Sequence, residues 1–168
     1  MHLSEILTAR EARWNQKCAL AKNEKCAVVS VTLRMPVELR LSEDAKKVLL
    51  RASEEIFWLL RASFKNVSLK GEFDTADGPY ALFTSGGKAE AIKTALVRFE
   101  ETSACGDLID ADVMTEAGEE VSRIAVGGRE RTCLVCGKNA ARICAKSNVH
   151  TREETIGKIR NILKNRLV

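Results

Sequence analysis

Two long amphipathic segments, each flanked by strand-like runs, leave this 168-residue chain few folds to adopt. The first spans 42 to about 62, with Val48, Leu49, Ile56, Leu59 and Leu60 apolar and Ser42 placed as an N-cap. The second follows Ser85-Gly86-Gly87 and spans 88 to about 101, with Ile92, Leu96 and Phe99 turned inward. Ahead of the first lies 26–34, rich in β-branched residues and closed by Pro36, the pattern of a central strand. Between the helices, 67–73 and 80–83 read as strands joined by a turn at 74–79. After the second helix, a strand at about 108–114 returns across Glu116-Ala117-Gly118 to a hairpin partner within 119–126. The order β-α-β-β-α-β is that of split βαβ, ferredoxin-like sandwiches. The expected class is therefore α+β, a two-layer sandwich with helices over one face of an antiparallel sheet. A polymerase β-type nucleotidyltransferase sheet is the alternative, because it also sets a D-x-D on a strand after a helix.

The flanks complete the plan. Residues 3–22 read as an amphipathic helix with Leu3, Ile6, Leu7, Trp14, Cys18 and Ala21 on one face and Ser4 as its cap. One domain is expected over 1–168: an N-terminal helix (1–24), an α/β core (25–127), and a Cys-rich knuckle with a C-terminal helix (128–168). With only two Pro and ten Gly, the chain is neither low-complexity nor collagen-like. A net charge of +4 suits a phosphate-bearing ligand or an acidic partner, and is too small to imply nucleic-acid binding by itself. No apolar run approaches the roughly 18 residues of a membrane span, and the start lacks a signal peptide's regions. The expectation is a soluble, cytoplasmic chain without a membrane partner. Its six cysteines are then thiols or metal ligands before they are disulfides, with Cys18, Cys26 and Cys105 read as packing residues.

Chemistry concentrates in Gly106-Asp107-Leu108-Ile109-Asp110-Ala111-Asp112-Val113. Strand alternation sends Ile109, Ala111 and Val113 to the core and sets Asp110 and Asp112 side by side on the other face. Paired carboxylates repel unless a cation lies between them. Mg²⁺ fits best, being held by one or two carboxylates plus substrate phosphates, and phosphoryl or nucleotidyl transfer is the chemistry implied. The bland reading is a half-buried strand with two Asp on its polar face.

Downstream, Cys133-Leu134-Val135-Cys136-Gly137-Lys138 has the form of a zinc knuckle, and Cys144 and His150 would close a structural Cys₃His site. Alternatively the cysteines are small buried residues, and His150 caps a last helix whose Thr151-Arg152-Glu153-Glu154 start resembles a capping box. Arg123, Arg129, Arg131, Arg142, Lys146 and Arg152 make this region basic; guanidinium forks match phosphate oxygens, and Arg123 and Arg131 stand out from the solvated remainder.

Together these residues resemble the citrate lyase holo-acyl-carrier-protein synthases, also called apo-citrate lyase phosphoribosyl-dephospho-CoA transferases. The family pattern is Gly-Arg-Leu-x-Asp-x-Asp-Val, Ser-Arg, Arg-x-Cys-Leu-x-Cys, Cys-Ala-Arg and a His. Here it reads Gly106 to Val113, Ser122-Arg123, Arg131-Thr132-Cys133-Leu134-Val135-Cys136, Cys144-Ala145-Lys146 and His150. The likeness is densest over 105–163 and looser upstream, at Arg10-Glu11-x-Arg13, Val29-Ser30-Val31-Thr32 and Gly78-Pro79.

The resemblance implies transfer of phosphoribosyl-dephospho-CoA from triphosphoribosyl-dephospho-CoA to a serine of the citrate lyase acyl carrier subunit, with release of diphosphate. Asp110 and Asp112 would hold Mg²⁺, Arg123 and Arg131 the diphosphate, with Gly106 and Lys146 also near the donor. Departures are Asp107 in place of Arg, Lys146 in place of Arg, and Met35-Pro36-Val37 where a Gly-Pro segment is expected. Asp107 either points away from the ligand, adds a third carboxylate, or compromises activity. Two other classes compete: a non-catalytic zinc-knuckle interaction module, and a nucleic-acid-binding sheet. The latter wants stacking aromatics, and the strands offer only Phe73, Tyr80 and Phe83.

Overall fold

The structure, a computed structural model, describes residues 3–166. Its elements are α1 (Leu3–Glu24), β1 (Ala27–Leu33), α2 (Val37–Arg40), α3 (Glu43–Ser63), β2 (Ser68–Phe73), β3 (Tyr80–Ser85), α4 (Ala89–Thr102), β4 (Ile109–Met114), β5 (Glu120–Val121), α5 (Ala141–Lys146) and α6 (Arg152–Arg166). Short 3₁₀ turns cover Gly106–Leu108 and Ile124–Val126. Among the described residues the strands form one open sheet in the order β2-β3-β1-β4-β5. Every neighbouring pair is antiparallel.

The apolar residues of β1 explain its central place, because a strand paired on both edges must be buried on both faces. Val29, Val31 and Leu33 face α3 and α4, joined by Ala81 and Phe83 of β3 and Ile109, Ala111 and Val113 of β4. The α3 residues Ala45, Val48, Leu49, Ala52, Ile56 and Leu60 supply the opposing stripe at helical spacing. Ser42 caps α3 as expected, its Oγ accepting the Ala45 N–H at 3.2 Å. Truncating a fully buried member such as Ile56 to Ala would cost about 2–5 kcal/mol. Ile159 and Leu163 of α6 join this same core, so the C-terminal helix is part of the body and not a loose appendage.

The opposite face is mixed: Val28 and Met114 pack with Ala21 of α1 at one end, and polar residues lie further along. Ser30 lies across from Asp112 and Thr32 across from Asp110 in the β1–β4 register. This face receives α1, and here the sequence expectation holds in full only at Ile6 and Ala21, which are buried. Leu3, Leu7 and Trp14 are exposed, at 71%, 54% and 44%. The stripe that meets the sheet is instead Ile6, Arg10, Arg13, Lys17 and Ala21, spaced three or four residues apart. Charge pairing decides the helix's rotation: Arg10 and Arg13 reach Asp77, and Lys17 reaches Glu120 at 2.6 Å. Ser4 lies inside α1 and is not its cap.

Other boundaries shift modestly. The expected hairpin partner shrinks to the two residues of β5, followed by a 3₁₀ turn at Ile124–Val126. Neither α2 nor α5 was legible, each being about a turn long. The capping box at α6 forms as expected: Thr151 Oγ1 accepts the Glu154 N–H, and Glu154 accepts the Thr151 N–H at 2.8 Å. Among the described residues no helix is long and apolar enough to cross a membrane.

Candidate active site and metal centre

β4 delivers its carboxylates as strand alternation requires. Ile109, Ala111 and Val113 are buried, while Asp110 and Asp112 point into a cleft of about 570 Å³ shared with Arg34, Lys93, Arg123 and Arg131. Because β5 is so short, the β4 edge at Ala111 has no strand partner. Two α4 side chains take its place: Glu100 accepts the Ala111 N–H at 2.8 Å, and Lys93 donates to the Ala111 carbonyl at 2.7 Å. Lys93 and Glu100 are seven residues apart and so share one edge of α4, beside the apolar stripe of Ile92, Leu96 and Phe99.

Glu100 then organises the arginines. It accepts from Arg123 at 2.5 Å and from Arg131 at 2.6 Å. The other nitrogen of Arg131 reaches Asp110 at 2.8 Å, and Arg123 also holds Glu101 at 2.7 Å. Burial alone would lower the Arg131 guanidinium, but Asp110 and Glu100 more than compensate and hold it up. Arg34 is different: burial and the nearby Arg131 push it below its ordinary value. It donates to the Thr132 carbonyl, and no described carboxylate lies within ion-pair distance of it. Asp112 carries the opposite imbalance. Burial in the cleft and then the adjacent Asp110 raise its carboxyl above the usual range, only partly countered by Lys93, 3.8 Å away, and by Lys17. A carboxyl raised beside a second carboxylate is what a cation would relieve, so the donor set fits Mg²⁺.

Not every expected residue arrives. Gly106 is buried against the end of α4, where a Cβ would lie 2.5 Å from the Phe99 carbonyl oxygen, so its small size serves packing. Lys146 is exposed on α5 and lines neither this cleft nor the larger one beside it. Asp107 does not line the Asp110/Asp112 cleft and pairs with Arg166 of α6 at 2.9 Å. Residues that sequence reasoning passed over are Arg34, Arg40, Asp77, Lys93 and Glu100. The one available signal was the Lys93/Glu100 spacing beside an apolar stripe; Arg34 and Asp77 carry no local signature.

The knuckle closes as expected. Ligand atoms of Cys133, Cys136, Cys144 and His150 all lie within 4.8 Å of one another. Cys136 and Cys144 sulfurs are 3.8 Å apart, about the edge of a tetrahedron with 2.3 Å metal–sulfur bonds. Gly137 takes the left-handed conformation (φ 65°) that reverses the chain and sends its N–H to the Cys133 carbonyl. Backbone N–H groups of Asn139 and Lys138 pull the Cys136 thiol down to about 6. The His150 Nε2 is buried with no hydrogen-bond partner. Four ligands and an orphaned nitrogen fit a closed metal site, with zinc the natural occupant of a Cys₃His set.

A cleft with paired carboxylates on its floor and guanidinium groups on its walls is the equipment of a transferase that handles phosphates. The profile of one family, Apo-citrate lyase phosphoribosyl-dephospho-CoA transferase, matches residues 1–166. The chain is 31% identical over 170 residues to Protein CitXG of Leuconostoc mesenteroides subsp. cremoris, covering 98% of this chain and 35% of that protein. It thus spans about a third of that relative's length. It is 25% identical over 161 residues to the apo-citrate lyase phosphoribosyl-dephospho-CoA transferase of Shigella flexneri serotype 5b (strain 8401), covering 96% and 87% of the two chains. Its counterpart from Escherichia coli O139:H28 (strain E24377A / ETEC) is 24% identical with the same coverage. The chain belongs to this transferase family.

Proposed function

We propose that the chain moves phosphoribosyl-dephospho-CoA from triphosphoribosyl-dephospho-CoA to a serine hydroxyl of the citrate lyase acyl carrier subunit, releasing diphosphate. The observation that carries this reading is the Asp110/Asp112 pair facing a cleft walled by Arg34, Arg123 and Arg131. In the reaction the serine Oγ–phosphorus bond forms as the α-phosphorus loses its bridging oxygen to diphosphate, and the serine proton passes to water. Asp110 and Asp112 would hold Mg²⁺, which supplies Lewis-acid polarisation of phosphate oxygens. Arg123 and Arg131, fixed by Glu100, hold oriented guanidinium donors beside the position of the departing diphosphate. Arg34 adds a guanidinium with no described carboxylate at ion-pair distance, acted on by Asp110 and Glu100 only from further off. Lys93 is tied to the β4 backbone and keeps Asp112 aimed into the cleft.

Zinc in the knuckle would be structural, since four protein ligands leave no position for substrate. Under this reading β1-α3-β2-β3-α4-β4 is taken as a ferredoxin-like split βαβ, with α3 and α4 layered on one face. The strand order β4-β1-β3-β2 and its antiparallel pairing favour that assignment.

The test is intact-mass spectrometry of the apo carrier subunit incubated with this protein, Mg²⁺ and triphosphoribosyl-dephospho-CoA. The expected result is a mass gain equal to the phosphoribosyl-dephospho-CoA group, abolished by Asp112→Asn. No gain, while another family member succeeds in parallel, would overturn the assignment and leave a zinc-knuckle interaction module as the reading to pursue.

A further inference from the structure

The loop before β3 contains a cluster that the transfer chemistry does not use. Asp77 is buried, with its side chain wholly shielded from solvent, yet three arginines from two helices converge on it. Arg10 of α1 bonds Oδ1 through Nε and Nη2 at 3.1 and 2.9 Å. Arg13 bonds Oδ2 through both terminal nitrogens at 3.2 Å, and Arg40 of α2 bonds Oδ1 through Nη1 at 2.9 Å. One carboxylate against three guanidinium groups leaves two positive charges in excess. The surplus is felt locally: Arg40 is held below its ordinary value by burial, with Arg10 and Arg13 adding to the effect against the pull of Asp77.

The surplus also faces open space. Arg10 and Arg40 line a cleft of about 720 Å³ next to the acidic one. Arg10 spends Nε and Nη2 on Asp77, and Arg40 spends Nε on the Met35 carbonyl and Nη1 on Asp77. Among the described residues that leaves Nη1 of Arg10 and Nη2 of Arg40 without a partner. Among the described residues the one carboxylate lining this cleft is Glu38, which is occupied by Arg152. The two clefts therefore differ in kind. One offers paired carboxylates for a cation; the other offers unspent guanidinium donors, with the knuckle residues Cys133, Cys144 and His150 also lining it and no carboxylate pair for Mg²⁺. Arg34 lines both, so a single ligand with phosphates at two places can span them.

We propose that the larger cleft contains a diphosphate subsite that needs no Mg²⁺, in which Arg10 and Arg40 hold the non-reacting diphosphate of the donor's dephospho-CoA portion. The inference rests on the transferase reading, which requires a donor with two separate polyphosphate groups: the triphosphate that reacts and the diphosphate that joins adenosine to pantetheine. Two negative charges on a diphosphate diester match the two in excess around Asp77. Planar forks pre-set by a buried carboxylate bind such oxygens with little further ordering. Met35, Pro36, Val37 and Leu134 give the cleft an apolar wall for the adenine or pantetheine that flanks the diphosphate. Asp77 is then a positioning residue, aiming guanidinium groups it does not neutralise.

Dephospho-CoA itself is the probe, because it carries this diphosphate and lacks the reacting triphosphate. Calorimetric titration of the full chain in Mg²⁺-free buffer should show binding. Arg10→Gln and Arg40→Lys should each weaken it by roughly ten-fold or more, the loss expected for a charge-assisted phosphate contact. Asp110→Asn and Asp112→Asn should leave it within about two-fold, since their contacts lie in the other cleft. Arg10 is half exposed and Asp77 keeps two partners without it, so a thermal melt of Arg10→Gln will certify a folded protein. Binding unchanged in both arginine variants would overturn the proposal. So would binding that needs Mg²⁺ and vanishes in Asp112→Asn, or an effect of the arginines confined to affinity for the carrier subunit. Binding as expected without any transfer in the mass assay would retain the subsite and reject the reaction, so the two failures are separable.

Discussion

Asp77 and Asp112 are both aspartates in the same basic face of the molecule, and their surroundings are opposite. Burial would raise either carboxyl. At Asp77 the guanidinium groups of Arg10, Arg40 and Arg13 more than reverse this and hold it below the usual range. At Asp112 burial is compounded by Asp110, and the group ends above that range. The protein over-supplies counter-charge at the first, with three guanidinium groups, and supplies it only in part at the second, through Lys93 and Lys17. The contrast separates a structural carboxylate from one poised for a cation, and residue type alone does not make it. The knuckle falls on the second side: three sulfurs and an imidazole brought together with no protein cation among them.

That division can be broken in several ways. The largest effect should come from the knuckle, if its stability depends on an external ion. Cys136→Ser, or treatment with a strong chelator, should lower stability by about 5 kcal/mol or more and release one equivalent of zinc, read by metal analysis and thermal melting. Asp77→Asn comes next. Removing the only carboxylate among three converging guanidinium groups should cost about 3–5 kcal/mol, seen as a lower denaturation midpoint. Asp112→Asn should do the reverse. Its stability should change by less than about 1 kcal/mol, and toward greater stability, while transfer falls on the order of 10²-fold or more in the mass assay.

Acid titration sharpens the comparison through its sign. A depressed carboxyl contributes stability above its unfolded value near 3.9 and loses it as pH falls through the folded value. The deficit of Asp77→Asn should therefore be the same at pH 7 and pH 5 and shrink only below about pH 4. A raised carboxyl penalises the folded state in full above its folded value, and the penalty fades as pH falls from there toward the unfolded one. Any gain in Asp112→Asn should thus be largest near neutrality and diminish on mild acidification, measured by denaturant titration at a series of pH values. The smallest effect belongs to Asp107→Asn. Its bridge to Arg166 is about one-third exposed on both sides and lies outside the Asp110/Asp112 cleft. Stability should fall by no more than about 1 kcal/mol, with transfer unaffected.

How much of this was legible follows from the range over which each feature acts. Strand alternation needs only neighbouring residues, so the outward pair Asp110/Asp112 and the inward Ile109, Ala111 and Val113 could be read directly. So could the Ser42 cap, the apolar stripes of α3 and α4, and the capping box at Thr151, all set within one or two helical turns. The Cys133–Cys136 knuckle is also local, and spacing carried the inference on to Cys144 and His150. The apolar face expected for α1 holds at Ile6 and Ala21 but not at Leu3, Leu7 and Trp14, because α1 packs on a sheet face that is only partly apolar. There the favourable rotation brings Arg10, Arg13 and Lys17 to carboxylates more than sixty residues away in sequence.

The order of the strands and long helices, the acidic strand and the Cys/His spacing follow from the periodicity or spacing of adjacent residues. Which charges meet is set by the folded arrangement. Glu100 became the hub of the acidic cleft because a short β5 leaves the β4 edge at Ala111 open to α4. Arg34 became the wall between two clefts, and Asp77 the anchor of three arginines, because loops and helices far apart in the chain converge on one sheet face. Coulomb interactions depend on separation in space and on the dielectric around each group. Neither quantity exists until the chain has folded.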